Sequence, residues 1–163
     1  MKLKNGCLKV LDVAISSRAF SSGFEIKTSV GIFSARKIPL SPTAEVRIIN
    51  AEGSQVARLE VASLFSSIYN VIITGGGFYQ FGRDGSSSRS WTCKGEAKLF
   101  RISEQSSRRF LVVEEAQEIA ECSKSRFFND YKIRVFNDAD LKLMMCVFIA
   151  LSLLEHQSTY IPV

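Results

Sequence analysis

One stretch constrains the architecture more than any other: Leu141-Lys-Leu-Met-Met-Cys-Val-Phe-Ile-Ala-Leu-Ser-Leu-Leu154. Only Lys142 and Ser152 interrupt its apolar residues, and the preceding Asn137-Asp-Ala-Asp140 offers side chains that suit a helix N-terminus. At about 1.5 Å per residue this helix spans roughly 21 Å, short of the roughly 30 Å hydrocarbon core of a bilayer. Because a helix that is apolar all round must be buried all round, we predict a core helix over residues 138–155. A C-terminal membrane anchor is the less favoured alternative.

Upstream of this segment, short β-prone runs alternate with turn signals, a pattern typical of an antiparallel sheet or barrel. Asn50 to Ser54 are predicted to form a hairpin turn. Gly75-Gly-Gly77 predicts a tight connection between strands. It is not interpreted as a phosphate-binding loop, because such a loop needs a helix after it and a strand-like run follows instead. In such a domain, only the inside of a closed barrel surrounds a helix. Strands are predicted over the ranges 24–33, 45–50, 55–61, 69–74, 78–82, 90–102, 110–113, 118–122 and 130–136.

Two parts of the chain resemble each other. The first copy is Gln55-Val-Ala-Arg-Leu59, Phe65 and Tyr69-Asn-Val-Ile-Ile73, and the second is Glu118-Ile-Ala-Glu-Cys122, Phe127 and Tyr131-Lys-Ile-Arg-Val135. Two units are too few for a solenoid, so closure into a barrel or sandwich is the expected outcome. We predict one domain over 1–163, with similar strand modules at about 24–82 and 90–136 followed by the helix.

Composition is that of one globular domain: 163 residues, 46% hydrophobic and 23% charged, which excludes a disordered chain or a coiled coil. The formal net charge of +5 favours anionic partners such as phosphate headgroups. Cys7, Cys93, Cys122 and Cys146 are far apart and only one histidine is present, so buried reduced thiols are predicted and no metal or other cofactor is expected. With no apolar N-terminal run of signal length, we expect a cytoplasmic protein, with peripheral membrane association open.

These features carry a resemblance to a known family. Four segments carry it: the strand-like Glu118-Ile-Ala-Glu, the crossing segment Ser123-Lys-Ser-Arg-Phe-Phe128, the run Asp130-Tyr-Lys-Ile-Arg-Val135, and Asp140 before an apolar terminal helix. Together they resemble the tubby C-terminal-like superfamily. Within it the sequence is most similar to the LURP-one-related and phospholipid-scramblase branch. The resemblance implies a closed barrel of about twelve strands around a hydrophobic C-terminal helix. It also implies phosphoinositide binding through basic residues on the barrel wall. An acidic calcium loop of the type D-x-[DN]-x-[DN]-G does not occur, so lipid transport is not predicted.

Basic residues in or beside predicted loops are the candidate ligand-binding residues, because arginine and lysine can grip an anionic headgroup through charge-assisted hydrogen bonds. They are Arg83, Arg89, Arg108, Arg109, Lys124 and Arg126. No catalytic residues are assigned, since no serine lies in a G-x-S-x-G motif and His156 is expected to be structural. Glu114, Glu115, Glu118 and Glu121 are interpreted as solvated surface residues. Trp91, Arg89, Phe78 and Tyr79 are interpreted as alternating core and wall positions, not a nucleic-acid patch.

The sequence therefore predicts a non-enzymatic binding domain for an anionic lipid headgroup or membrane surface. A protein-interaction or structural scaffold is the alternative, with a protein as partner. An enzyme holding its substrate inside the barrel requires an open lumen, which the helix is expected to fill.

Overall fold

The computed structural model describes residues 10–17, 23–62, 67–85, 89–126, 130–136 and 141–158, with side chains up to Leu154. Within these ranges the chain forms twelve β-strands followed by one α-helix. In chain order the elements are β1 (Leu11–Ser17), β2 (Gly23–Thr28), β3 (Gly31–Lys37), β4 (Val46–Asn50), β5 (Gln55–Val61), β6 (Tyr69–Ile73), β7 (Gly77–Arg83), β8 (Ser90–Gly95), β9 (Leu99–Ser106), β10 (Arg109–Glu114), β11 (Gln117–Lys124), β12 (Tyr131–Val135) and α1 (Leu141–Ser158).

The strands form one closed antiparallel barrel in which each strand pairs with its neighbours along the chain. The barrel closes where β1 pairs with β12, from Leu11 opposite Val135 to Ile15 opposite Tyr131. Closure leaves none of the twelve described strands with an edge open to another chain. The predicted fold class is confirmed: a mainly β protein with a closed antiparallel barrel of twelve strands and a buried hydrophobic C-terminal helix.

Helix α1 fills the interior of the barrel. Residues Leu143 to Leu154 are all buried, and Lys142 alone is exposed between Leu141 and Leu154. The interior of a β-barrel widens with the number of strands, and inward side chains alone fill it at about eight strands. A barrel of twelve strands has a wider interior, and the helix fills the additional space.

Helix α1 continues to Ser158, three residues beyond the predicted range of 138–155, and the first three residues of that range lie outside the described residues. The polar residues after Leu154 end the apolar run but not the helix, because Glu and Gln are good helix formers. The predicted capping residues Asn137, Asp138 and Asp140 lie outside the described residues.

An aromatic cluster joins the helix to the barrel wall. The ring of Phe110 on β10 lies 6.3 Å from that of Phe148 on α1, 6.0 Å from Trp91 and 6.4 Å from Tyr131, measured between centroids. Tyr131 and Phe148 are themselves 5.8 Å apart. Tilted and edge-on rings at these separations attract each other beyond the gain from burial alone. Tyr131 and Phe148 are fully buried, so this cluster fixes the helix against β10 and β12.

The predicted single strand over 24–33 is wrong, because it divides into the hairpin β2–β3. Thr28 Oγ1 donates a hydrogen bond to the Gly31 carbonyl at 2.8 Å and accepts one from the Val30 amide at 3.1 Å. A threonine that bonds to its own turn in this way competes with a continuous strand. The signal was weak because the turn contains neither proline nor asparagine.

The predicted strand over 90–102 is also wrong, and divides into β8 and β9. Gly95 N donates to the Lys98 carbonyl at 2.8 Å, which closes the turn between them. Strand β1 was absent from the prediction, although Leu11, Val13 and Ile15 alternate inward as a half-buried strand requires. Both predicted turns are confirmed: Asn50 N donates to the Ser54 carbonyl at 2.9 Å, and residues 74–76 connect β6 to β7.

The two similar segments lie at equivalent places in the barrel. In β5–β6, Ala57 is opposite Ile73 and Leu59 opposite Val71; in β11–β12, Ala120 is opposite Val135 and Cys122 opposite Ile133. The pairing with the preceding strand shifts register at matching points, between Ile48 and Ile49 and between Val112 and Val113. Strands β4–β6 thus correspond to β10–β12, and the predicted module bounds of 24–82 and 90–136 stay a prediction. Phe65 and Phe127 lie outside the described residues.

Three cysteines are buried free thiols, namely Cys93, Cys122 and Cys146, as predicted; Cys7 lies outside the described residues. Burial raises the pKa of Cys93 from 9.0 to about 12, because a thiolate loses its hydration inside the barrel. Burial, and secondarily the charge of Cys93, also raise the pKa of Cys146. Cys93 and Cys146 therefore stay protonated and unreactive near neutral pH.

Candidate anion-binding surfaces

The six predicted basic residues all lie at one end of the barrel, which we call the basic end. They stand at strand ends or in the connections of β7 to β12: Arg83 ends β7, Arg89 precedes β8, Arg108 and Arg109 lie at the β9–β10 turn, and Lys124 and Arg126 lie where β11 ends. Because these strands are adjacent in the barrel, the six residues form one continuous arc.

Backbone hydrogen bonds position the basic end. Arg108 adopts a positive φ of 66° in its turn, and its carbonyl accepts a hydrogen bond from Lys124 N at 2.8 Å. The carbonyl of Arg89 accepts one from Glu104 N at 2.9 Å. The β9–β10 turn is therefore tied to the end of β11, and the residue before β8 is tied to β9.

The side chains of the basic end are open to solvent, with one exception. Arg83, Arg89, Arg108, Arg109 and Arg126 are exposed. Lys124 is half-buried, and its Nζ lies 5.8 Å from the centroid of the Tyr131 ring, within the range of a cation–π contact.

Charge is distributed unevenly between the two ends of β7 to β12. Near the basic end the acidic residues are Asp84, Glu104 and Asp130, and Asp84 already contacts Arg101 at 3.6 Å. The opposite end carries Glu96, Glu114, Glu115 and Glu118 against Lys94 and Lys98. This half of the barrel is therefore polarised along its axis, with the positive side at the predicted residues.

A groove of 710 Å³ lies on the outer wall across β2, β1, β12, β11 and β10. Two of its outward lining residues, Ala14 and Ser123, are small, and Leu111 adds an apolar surface. Four cations and two acids line it: Lys27, Arg109, Lys132, Arg134, Asp12 and Glu121. The volume lies within the usual range for small-molecule sites.

Register brings three polar side chains into one line within the groove. Lys132 on β12 is opposite Ser123 on β11, and Ser123 is opposite Arg109 on β10. All three are exposed, and neither cation makes an ion pair with another described residue. The nearby Glu121 accepts a hydrogen bond from Arg134 at 3.2 Å, so its charge is already matched.

Three arginines form a second row on the opposite side of the barrel. Arg36 on β3 is opposite Arg47 on β4, and Arg47 is opposite Arg58 on β5. Arg47 Nε donates to Glu45 Oε1 at 3.0 Å. The Nε of Arg58 is buried without a hydrogen-bond partner in the part of the chain that the structure describes. Since like charges directly opposite each other destabilise a sheet, we expect this row to lower the free energy of unfolding of the barrel.

The other residues considered from sequence are not assembled into a site. Glu115 lies in the β10–β11 turn and Glu121 faces outward. Trp91 is buried while Phe78 is about half exposed, so the two aromatic rings do not form one patch. The side chain of His156 lies outside the described residues. Within the described ranges, no group of three His, Cys, Asp or Glu residues is placed to hold a metal ion.

Sequence reasoning missed the groove and the arginine row for one reason. Alternation along a strand shows which residues face outward, so the outward orientation of Lys132, Ser123 and Arg47 could be predicted from sequence. Which of them are neighbours depends on register between strands, and the β10–β11 and β4–β5 pairs each contain a shift. Such shifts have no strong signal in a single sequence.

Comparisons with known proteins inform the fold alone. No protein-family model matches this sequence, and no curated protein matches it. Among solved structures, the chain is similar to an X-ray structure of a protein from Arabidopsis thaliana, with a TM-score of 0.66 and 14% sequence identity over 93% of each chain. This likeness supports the barrel architecture and carries no information on ligands. The resemblance to the tubby C-terminal-like superfamily stays a prediction.

No helix within the described ranges combines the length and the hydropathy that a membrane crossing requires.

Proposed function

We propose that this protein is a non-enzymatic domain that binds anionic lipid headgroups at a membrane surface through its basic end. The observation that carries the proposal is the position of all six loop cations on one end of adjacent strands. An arc of exposed arginines can face a flat anionic surface all at once, whereas the same residues spread around the barrel could not. The sequence resemblance to phosphoinositide-binding tubby domains points to the same ligand class.

The uneven charge of the barrel favours an orientation in which the basic end faces the membrane. The negative surface potential of an anionic membrane attracts the basic end and repels the end that carries Glu96, Glu115 and Glu118. Each arginine near such a surface contributes about 1 kcal/mol of binding free energy. Several together are enough for reversible peripheral binding without insertion of a helix.

Vesicle co-sedimentation tests the proposal. The full chain is mixed with phosphatidylcholine vesicles, or with vesicles that also contain phosphatidylserine, at about 0.01 M and about 0.15 M salt, where the Debye length falls from about 30 Å to about 8 Å. We expect retention by the anionic vesicles alone, and weaker retention at the higher salt concentration. Absence of retention at low salt contradicts the proposal.

A charge-matched pair of variants tests the assigned surface. Replacing Arg83 and Arg108 together by Gln removes two exposed cations from the basic end and is expected to weaken binding roughly 30-fold. The control replaces Lys94 and Lys98 by Gln at the opposite end, which changes net charge equally and is expected to leave binding nearly unchanged. Equal loss in both variants contradicts an assignment to the basic end.

A protein-interaction scaffold is the second candidate, and exposed apolar residues at the opposite end favour it. Val30, Ile32 and Phe78 are 54%, 54% and 51% exposed beside the turns of that end. Large apolar side chains in such positions are common in protein contacts. Recovery of a bound partner that is unchanged when Arg108 and Arg109 are both replaced by Glu favours this second function.

A further inference from the structure

The groove across β2, β1, β12, β11 and β10 is a partly open depression in the barrel wall, with a volume of 710 Å³. Buried residues of the inner face, among them Val13, Cys122 and Ile133, contribute to its lining. Inward-facing residues can reach an outer groove only where the outward side chains between them are small, as Ala14 and Ser123 are. The small side chains of Ala14 and Ser123 therefore leave room for a ligand among the longer outward side chains.

Charge in the groove exceeds what its own acids can balance. Lys27, Arg109, Lys132 and Arg134 contribute four positive charges, and Asp12 and Glu121 two negative charges. Glu121 is bound by Arg134, and Lys27 contacts Glu25, just outside the groove, at 3.8 Å. Arg109 and Lys132 are left on either side of the Ser123 hydroxyl, with no ion pair to any other described residue.

The spacing of these three side chains suits a single anionic group. Adjacent strands are about 4.8 Å apart, so Lys132 and Arg109 flank Ser123 at about that distance on each side. Their long side chains can converge above the serine. Arginine offers a planar pair of donors, lysine a point charge and serine a hydroxyl donor, a combination that matches the oxygen atoms of a phosphate group.

The rest of the groove is suited to an apolar group. Leu111 lies opposite Glu121, one pleat along from Arg109, and Ala14 lies opposite Lys132. Both side chains are half-buried and face the groove. A ligand anchored at Ser123 by its phosphate therefore meets apolar surface on two sides of the anchor.

We infer that this groove binds a phosphate monoester attached to an apolar group, with Arg109, Ser123 and Lys132 holding the phosphate and Ala14 and Leu111 contacting the apolar part. A phosphate monoester carries about −1.5 to −2 charges near pH 7, which suits the two unpaired cations, while the second groove acid, Asp12, lies opposite Arg134. This inference does not depend on membrane binding by the basic end, although Arg109 belongs to both surfaces.

Isothermal titration calorimetry with 2-naphthyl phosphate tests the inference on the full chain. Inorganic phosphate and 2-naphthol are titrated separately as the two halves of the probe. We expect saturable binding of 2-naphthyl phosphate with one site per chain, and binding at least about tenfold weaker for either half, since each half forgoes one set of contacts. Failure of 2-naphthyl phosphate to bind, or binding no tighter than that of inorganic phosphate, overturns the inference.

Two variants assign the binding to the groove. Lys132→Gln removes one charge-assisted hydrogen bond and is expected to weaken binding about tenfold, and Ala14→Leu fills the floor and is expected to weaken it by at least as much. The controls are Lys94→Gln and Ala97→Leu, the same changes at exposed positions outside the groove. Lys132 is exposed, so its variant is expected to fold even if Ala14→Leu does not. Unchanged affinity in Lys132→Gln overturns the inference.

A further arm separates this site from the basic end and identifies the source of the phosphate. The Arg83→Gln, Arg108→Gln double variant is expected to bind 2-naphthyl phosphate normally even where it loses vesicles; a loss of probe binding in this variant, equal to that in Lys132→Gln, contradicts a separate groove site. Vesicles containing phosphatidate are then titrated with 2-naphthyl phosphate. Release of the protein supports a lipid phosphate as the groove ligand, and unchanged vesicle binding supports a free phosphate monoester.

Discussion

Replacement of Phe148 by Ala tests whether α1 is the core of the barrel. Phe148 is fully buried, and its ring lies 5.8 Å from Tyr131 and 6.3 Å from Phe110. A buried Phe→Ala change costs about 3–5 kcal/mol in lost transfer free energy and cavity formation. Two aromatic neighbours, each pair worth about 0.5–1.5 kcal/mol, place the expected loss in the upper part of that range. Since domains of this size are typically stable by about 5–15 kcal/mol, the variant loses a large share of its free energy of unfolding.

Urea unfolding followed by circular dichroism measures this loss. The matched control is Phe78→Ala, the same chemical change at a position that is 51% exposed on the outer wall, where the expected change is within about 0.5 kcal/mol. The slope of the unfolding free energy with urea is expected to stay the same in both variants, so that the midpoint reports stability alone. A loss below about 1 kcal/mol for Phe148→Ala, or one equal to that of Phe78→Ala, refutes a helix packed inside the barrel.

Three further outcomes are expected. Truncation before residue 137 removes the whole helix and abolishes cooperative unfolding, because each buried side chain that is lost contributes roughly 1.5–3 kcal/mol; a soluble truncated chain with a sharp urea transition contradicts this. Arg58→Thr raises the free energy of unfolding by roughly 0.5 kcal/mol, because it removes a like-charge neighbour of Arg47. The control Arg101→Thr loses the contact with Asp84 and does not raise the free energy of unfolding. A lower free energy of unfolding in Arg58→Thr means that the arginine row is stabilising. The free energy of unfolding falls as the pH rises from about 9 towards 12, because thiols ionise near 9.0 in the unfolded chain while Cys93 keeps its proton up to a pKa of about 12 in the folded protein. The free energy of unfolding then changes by up to about 1.4 kcal/mol per pH unit for each such thiol, and Cys93→Ala reduces this dependence.

Local pattern was sufficient for the elements whose signal lies within a few residues. The all-round apolar run from Leu141 to Leu154 predicts a buried helix, and the turn residues from Asn50 to Ser54 predict a hairpin. The same reasoning failed at Thr28 to Gly31 and at Gly95 to Lys98, where strands rich in β-branched and aromatic residues on both sides masked short turns. Strand propensity is continuous across such turns, and only hydrogen bonds between the two strands reveal them.

The candidate sites also differ in how far they could be predicted from the sequence. The six basic residues were found as loop cations because turn signals stand beside them, and loops tend to carry binding residues. That they share one end follows from the antiparallel order of β7 to β12, which returns every second connection to the same side. Lys132, Ser123 and the arginines at 36, 47 and 58 lie within strands, where charge and small size are ordinary for an outer wall.

The sequence by itself determined that this chain is mainly β with one buried helix, and that its cations concentrate beside turns. The tertiary structure alone decided where several of the strands begin and end, how neighbouring strands are registered, and which side chains from different strands meet. The physical reason is that hydrophobic periodicity is a property of one segment, whereas register is a property of two. A shift of one residue at Val112–Val113 places Arg109 opposite Ser123, since the register at the hairpin end, continued without the shift, would place Arg109 opposite Cys122.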